Sequence, residues 1–201
     1  MMIKYKTKGK TMKKIPYGIS DFKYLKSQDY LFIDKTDYIP KLENHGSPYL
    51  LFLRPRRFGK SLFIAILEAY YDIYFKDEFD EIFKDTYILN NKTKEASSYL
   101  VLRFDFSAID IYDVEESFRH SLQLTIKSFA ERYSLDIQFT NDSPISMLNT
   151  IFDYIKKYQL KLYVLIDEYD NFANKLLLNS REEYLNIVSK KQPHSSSSSP
   201  H

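Results

Sequence analysis

The chain has 201 residues, of which 44% are hydrophobic and 28% are charged, a balance typical of a folded globular domain. Its formal net charge of +2 gives no bulk electrostatic reason to expect nucleic acid as a partner. The absence of cysteine excludes disulfides, zinc–thiolate sites and cysteine nucleophiles, and it fits a cytoplasmic location. No apolar run approaches the roughly 18 residues of a membrane span, so we expect no membrane partner.

Both ends of the chain differ from its middle. Residues 1–14 carry six lysines and few apolar residues, which predicts a basic, flexible tail. Residues 192–201 form a low-complexity tail rich in serine and histidine, with nothing to pack into a core. We therefore assign residues 15–191 to a single domain.

The first predicted strand and helix flank a glycine-containing loop. Tyr49–Leu53 is a short apolar run after glycine and proline breakers, a pattern typical of a buried strand in a parallel sheet. The residues from Ser61 to Phe75 are apolar almost all round. We expect such a helix to be covered on both sides, by a sheet and by a further element.

A second strand and helix follow. Tyr99–Phe106 is predicted to be a strand, and we interpret Arg103 and Asp105 on it as a strand-end ion pair. Asp113, with Glu116 three residues later, has the pattern of a capping box that opens a helix. That helix places five apolar residues along one stripe: Val114, Phe118, Leu122, Ile126 and Phe129.

The last elements complete an alternating pattern. Ser143 followed by Pro144 predicts a helix start, and Leu160–Ile166 predicts a third buried strand. Ser180 and Glu183 suggest a last short helix. The residues expected to face inward on the helix after Pro144 are Leu148, Ile151, Phe152 and Ile155. Strands that alternate with helices predict an α/β protein with a mainly parallel sheet.

A phosphate-binding loop is predicted at Arg54–Ser61. The general pattern is a glycine, four free positions and then Gly-Lys-Ser or Gly-Lys-Thr; here Arg54 stands where the first glycine belongs. In such a loop the backbone N–H groups cradle phosphates, Lys60 reaches the β- and γ-phosphates and the Ser61 hydroxyl holds magnesium. The competing interpretation is an ordinary strand–turn–helix with a surface lysine.

This loop predicts ATP and magnesium as cofactors. We interpret Arg56 and Arg57 as phosphate contacts through charge-assisted hydrogen bonds, and contact with nucleic acid is the less supported alternative. The residues predicted to contact the nucleotide are Arg56, Arg57, Phe58, Gly59, Lys60, Ser61 and Leu62.

Two consecutive carboxylates end the third predicted strand. Burying Asp167 and Glu168 after an apolar run is costly unless something offsets their charge. Magnesium on bound ATP would do so, with Asp167 as its ligand, and Glu168 would then polarise the water that attacks the γ-phosphate. The metal ligands are thus predicted to be Ser61 and Asp167, and the catalytic residues Lys60 and Glu168. The alternative is a strand end that simply enters solvent or caps the next turn.

Four segments resemble the bacterial and archaeal AAA-ATPase-like proteins. They are Ile15–Phe22, Phe32–Thr36, Arg54–Ser61 and Leu165–Asp170, and the resemblance covers about residues 14 to 175. It implies a P-loop NTPase three-layer sandwich of the additional-strand type, with ATP hydrolysis in the full-length protein and Phe32–Thr36 near the adenine. In that family the loop commonly begins with this arginine. Many members also carry a nuclease-like C-terminal domain, which nothing in this chain matches.

The resemblance also predicts an incomplete domain. Family members continue after the Asp-Glu strand into a strand with a polar sensor residue, then into helices and a trigger arginine. Without that strand, Tyr49–Leu53 and Leu160–Ile166 would face each other across a gap, so we expect a poor ATPase that self-associates. The alternative functions are a nucleotide-gated interaction switch with negligible turnover and a DNA-handling ATPase.

Overall fold

The computed structural model describes residues 13–53, 55, 58–108, 113–170, 174 and 177. The chain forms two compact units, residues 1–100 and 101–201. The helices are α1 (Phe22–Ser27), α2 (Tyr38–Glu43), α3 (Lys60–Tyr71), α4 (Phe79–Ile82), α5 (Tyr87–Asn90), α6 (Val114–Arg132) and α7 (Pro144–Lys157). The strands are β1 (Leu100–Asp105) and β2 (Leu162–Asp167), and a 3₁₀ helix spans Ile73–Glu78.

The first unit has a core of aromatic rings. The rings of Phe79 and Phe83 stack with centroids 4.7 Å apart, and Phe22 and Tyr70 pack edge-on or tilted against Phe83. Offset and edge-to-face geometries such as these are favoured by the ring quadrupole. They join α1, α4 and the C-terminal end of α3 into one packed group.

The helix predicted from Ser61 to Phe75 ends earlier than expected. α3 stops at Tyr71, because Asp72 is extended and its carboxylate accepts the N–H of Tyr74 at 2.8 Å. Aspartate competes with helix continuation through this kind of local hydrogen bond. The chain then turns into the 3₁₀ helix.

The strand predicted at Tyr49–Leu53 is not formed. The structure has no regular secondary structure there, and Tyr49 and Leu53 are 88% and 74% exposed. Within the described part of the chain, this segment's hydrogen bonds join only Tyr49 and Ser47. A strand needs a neighbour for its backbone N–H and C=O groups, and no described residue supplies one. The apolar run alone therefore gave a wrong prediction.

The second unit holds a small parallel sheet of β1 and β2, connected through α6 and α7. The predicted strand at Tyr99–Phe106 is confirmed as β1. The Asp113 cap is confirmed as well, since its carboxylate accepts the N–H of Glu116 at 3.1 Å. The predicted α6 stripe is confirmed at Val114, Ile126 and Phe129, which are buried.

The helix after Ser143 is also confirmed, with Pro144 in its first turn. Its inward face differs in part from the prediction, because Met147 and Ile151 are buried while Phe152 is 45% exposed. α7 packs against α6. The buried face of α7 is thus rotated by a fraction of a turn relative to the face predicted from residue spacing.

β2 forms, but it is not buried on both faces as predicted. Leu165 and Asp167 are buried, whereas Val164 and Ile166 are each about half exposed. Successive side chains of a strand point to opposite faces, and the described residues cover only one face of this sheet.

An α/β fold is therefore present, and the complete three-layer sandwich stays a prediction. Within the part of the chain described, no helix is long and apolar enough to cross a membrane. The predictions for the lysine-rich segment before residue 13, for the helix at Ser180–Glu183 and for the tail 192–201 concern residues outside the described part of the chain. The domain limits 15–191 remain a prediction.

Candidate functional site

The loop before α3 turns sharply at Gly59. This residue has φ +76° and ψ 30°, a left-handed conformation, and it is the N-cap of α3. An L-residue with a side chain pays a penalty in that conformation, which glycine avoids. The requirement for glycine at this position is thus conformational.

Lys60, Ser61 and Leu62 form the first turn of α3. The first N–H groups of a helix have no partner inside the helix, and at α3 they belong to these residues. The turn contains no acidic residue, and Gly59 provides no side-chain cap. Lys60, Ser61 and Leu62 are all half-buried, whereas Phe58 just before them is 60% exposed. The predicted contacts Arg56 and Arg57, like Arg54, lie outside the described residues.

Lys35 lies beside this loop. A Cβ built on Gly59 would be 3.9 Å from the Lys35 Nζ. The residues on either side of Lys35 are anchored elsewhere: Asp34 accepts the N–H groups of Thr36 and Tyr87, and the Thr36 hydroxyl accepts the N–H of Ile88. The sequence analysis placed Lys35 in a segment that resembles the family, but it did not predict that Lys35 lies beside this loop.

Asp167 ends β2 as a buried carboxylate, 3% exposed. Its Oδ2 accepts a hydrogen bond from Arg103 Nη2 at 3.2 Å, and its Oδ1 accepts the N–H of Glu168 at 3.1 Å. Its backbone carbonyl accepts the N–H of Phe106 at 3.2 Å. Hydrogen bonds at Asp167 therefore connect the end of β2 to the end of β1.

Glu168 follows Asp167 in a left-handed conformation, with φ 55°. This conformation is costly for a residue with a side chain, and such strain is common at functional sites. The Glu168 side chain is half-buried. The turn at Glu168 ends the strand, and the next described residues, Tyr169 and Asp170, are helical.

The ion pair predicted between Arg103 and Asp105 is not formed. Arg103 pairs with Asp167 on the neighbouring strand, and Asp105 accepts the N–H of Ser107 at 2.9 Å. An aspartate just before a turn readily bonds a backbone N–H two residues later. A buried Asp at a strand end needs a cation nearby, so the sequence indicated that Asp167 would have a cationic partner. It did not identify Arg103 as that partner.

The predicted site residues fall into two groups, one in each unit. Gly59, Lys60, Ser61 and Leu62 share the start of α3, and Asp167 and Glu168 share the end of β2. Among the described residues, no three histidine, aspartate or glutamate side chains gather in an arrangement that could hold a metal ion.

Comparison with known proteins gives one family. The family model described as "Predicted AAA-ATPase" matches residues 16–191. A protein of Azotobacter chroococcum mcd 1, described as "Uncharacterized protein in vnfD 5'region", is 48% identical over 56 residues. That alignment spans 27% of this chain and 11% of the relative. No solved structure matches the chain.

Proposed function

We propose that this chain, which belongs to the predicted AAA-ATPase family, binds ATP with magnesium, and that the phosphates contact the start of α3. We further propose that the whole protein hydrolyses the bound ATP. The observation that carries the proposal is the left-handed Gly59 followed directly by Lys60 and Ser61 at the N-terminus of α3. The family implies use of ATP, and the roles of individual residues are our inference.

The electrostatics of α3 favour an anionic ligand. The N-terminus of a helix carries a partial positive charge, which an acidic residue in the first turn often offsets. α3 has none and instead begins with Lys60. A triphosphate would supply the negative charge, with backbone N–H groups and the Lys60 ammonium as donors. Arg56, Arg57 and Phe58 would complete the loop around the phosphates.

The donors fit magnesium held mostly through water. A carboxylate has about four lone-pair positions, and Arg103 and the Glu168 N–H occupy one on each oxygen of Asp167. In this proposal a carboxylate oxygen of Asp167 and the hydroxyl oxygen of Ser61 are the protein ligands of magnesium. Bound magnesium would neutralise charge that develops on the phosphates. Magnesium typically keeps several waters and takes only one or two carboxylates from the protein.

Glu168 is the proposed general base. Its carboxylate stands at the end of β2, next to the proposed metal ligand, and the hydrogen bond from its N–H to Asp167 Oδ1 restrains its backbone. A general base must hold a water by hydrogen bond and accept its proton. In this proposal Glu168 does so during hydrolysis, while Lys60 stabilises the charge on the γ-phosphate.

The test is nucleotide binding by isothermal titration calorimetry. The wild-type chain should bind ATP in magnesium, and Lys60→Ala should lose that binding without a change in fold, monitored by circular dichroism. Lys41→Ala is the matched control, because Lys41 is an exposed lysine of the same unit that pairs with Asp37. Equal ATP affinity in Lys60→Ala and the wild type would refute the proposal.

A further inference from the structure

We infer that Lys35 is a second phosphate-binding cation of this site, contacting the phosphate chain of the bound nucleotide. This inference rests on the proposed function and assigns a residue outside the loop and α3. The resemblance places Phe32–Thr36 near the adenine, whereas the geometry directs the Lys35 side chain toward the phosphate loop.

The position of the ammonium group is the first observation. Lys35 Nζ lies 3.9 Å from the point where a Cβ on Gly59 would be, at the residue just before Lys60. Lys35 is half-buried, and within the described part of the chain its ammonium has no carboxylate at ion-pair distance. A cation that is partly removed from water without a counter-charge is unfavourable, and a phosphate would offset that cost.

The neighbouring carboxylates are engaged by other groups. Asp34 uses one oxygen for the N–H of Thr36 at 2.8 Å and the other for the N–H of Tyr87 at 2.6 Å. Asp37 pairs with Lys41 at 2.6 Å. Both acidic residues closest to Lys35 in sequence thus have different partners, so local charge pairing does not explain where its side chain points.

The backbone around Lys35 is anchored independently of any ligand. Thr36 is fully buried, and its hydroxyl accepts the N–H of Ile88 at 3.1 Å. Asp34 and Thr36 together accept the first two N–H groups of α5, at Tyr87 and Ile88, as capping side chains do. Lys35 lies between these two anchors. A donor held in place before binding loses little conformational freedom when the ligand arrives.

The chemistry suits a phosphate oxygen. An ammonium group can donate three hydrogen bonds and carries a compact positive charge, and hydrogen bonds between ionised groups are the strong ones. Lys35 would then share the phosphate charge with Lys60. The contact requires phosphates and is indifferent to the base, which separates it from a role at the adenine.

The experiment measures the affinities of ATP, ADP and adenosine for the full 201-residue chain by isothermal titration calorimetry in magnesium. Lys35→Met should weaken ATP binding by about 10-fold or more, as expected for loss of a charged hydrogen bond. ADP binding should weaken less or equally, and adenosine binding should not change. Lys35→Arg should retain most of the ATP affinity, and Lys41→Met should behave as the wild type.

Folding is checked on the same proteins without nucleotide. Lys35→Met should melt at or above the wild-type temperature, because it loses no ion pair within the described structure. If Lys35→Met folds poorly, Lys35→Gln replaces it with the same expectation. Unchanged ATP affinity in a folded variant would overturn the inference alone, as would an equal loss for ATP and adenosine. A wild-type chain that binds no nucleotide would overturn both this inference and the proposed function.

Discussion

Arg103 on β1 and Asp167 on β2 form a partly buried ion pair across the small sheet. The Nη2–Oδ2 distance is 3.2 Å, with the Asp167 side chain 3% exposed and that of Arg103 24% exposed. The pair holds a carboxylate in place at a strand end where desolvation would otherwise penalise it. The same carboxylate is the proposed magnesium ligand, so Arg103 both stabilises it and competes for its charge.

Removal of Arg103 should destabilise the protein. Arg103→Met leaves Asp167 buried with one hydrogen-bond donor fewer, and breaking a buried pair in this way costs about 3 kcal/mol. Urea denaturation followed by circular dichroism measures the loss. The double variant Arg103→Met/Asp167→Asn should recover part of it, because no unpaired charge remains. Additive losses in the double variant would show that the two side chains are not coupled.

Asp167→Asn should weaken the magnesium dependence of ATP binding more than ATP binding itself. The neutral side chain attracts the metal less, while the proposed phosphate contacts at α3 are unaffected. ATP titrations with magnesium and with a chelator separate the two effects, and the urea midpoint controls for the lost Arg103 pair. The same fold-loss under both conditions would argue against a metal role.

Gly59→Ala should cost about 1 kcal/mol of unfolding free energy, because alanine must adopt the left-handed conformation at φ +76°. The nearest atom to the new Cβ, Lys35 Nζ at 3.9 Å, is at ordinary contact distance, so the cost comes from the backbone. Gly59→Asn is the matched variant, since asparagine tolerates this region better than alanine. Urea denaturation should rank the wild type above the asparagine variant and that above the alanine variant.

Glu168→Gln should leave ATP affinity near the wild-type value and lower turnover by roughly 10²–10⁴-fold, the usual effect of losing a general base. The assay uses the whole protein, because turnover is proposed for it and not for this chain alone. Full turnover in the variant would remove Glu168 from the mechanism. Negligible turnover in the wild type, with function retained in the variant, would favour a nucleotide-gated switch.

Tyr70 should make stability fall at alkaline pH. Burial raises the pKa of this tyrosine above its ordinary value of 10.0, so above that pH the unfolded chain releases the proton while the folded chain keeps it. The free energy of unfolding therefore decreases as pH rises past 10. Tyr70→Phe should make that decrease shallower. It should also cost about 1 kcal/mol at neutral pH, because the Thr93 N–H loses its acceptor at 2.9 Å.

The measurement is the unfolding free energy in urea between about pH 9 and pH 11, which is about one unit either side of the ordinary tyrosine pKa. Tyr17→Phe is the control, since Tyr17 is 91% exposed. An identical alkaline slope in Tyr70→Phe and in the wild type would exclude this contribution.

Features that depend on a few consecutive residues were predictable from the sequence. The Asp113 cap joins a side chain to an N–H three residues later, and Pro144 suits the first turn of α7 because its ring already has helical φ. The turn at Gly-Lys-Ser is a local feature as well, because glycine adopts the left-handed conformation of Gly59 before α3 without the penalty that a side chain would bring. Each is governed by local sterics and short-range hydrogen bonds.

Only the tertiary structure decided the long-range features. Arg103 pairs with an aspartate 64 positions away, and Lys35 reaches the loop only because Asp34 and Thr36 are anchored on α5. Tyr49–Leu53 has the composition of a strand, yet no described backbone pairs with it. The spacing of apolar residues predicts which side chains become buried, but it does not predict which residues they contact. Ion pairs and strand pairing depend on segments that are distant in the sequence and come close only on folding.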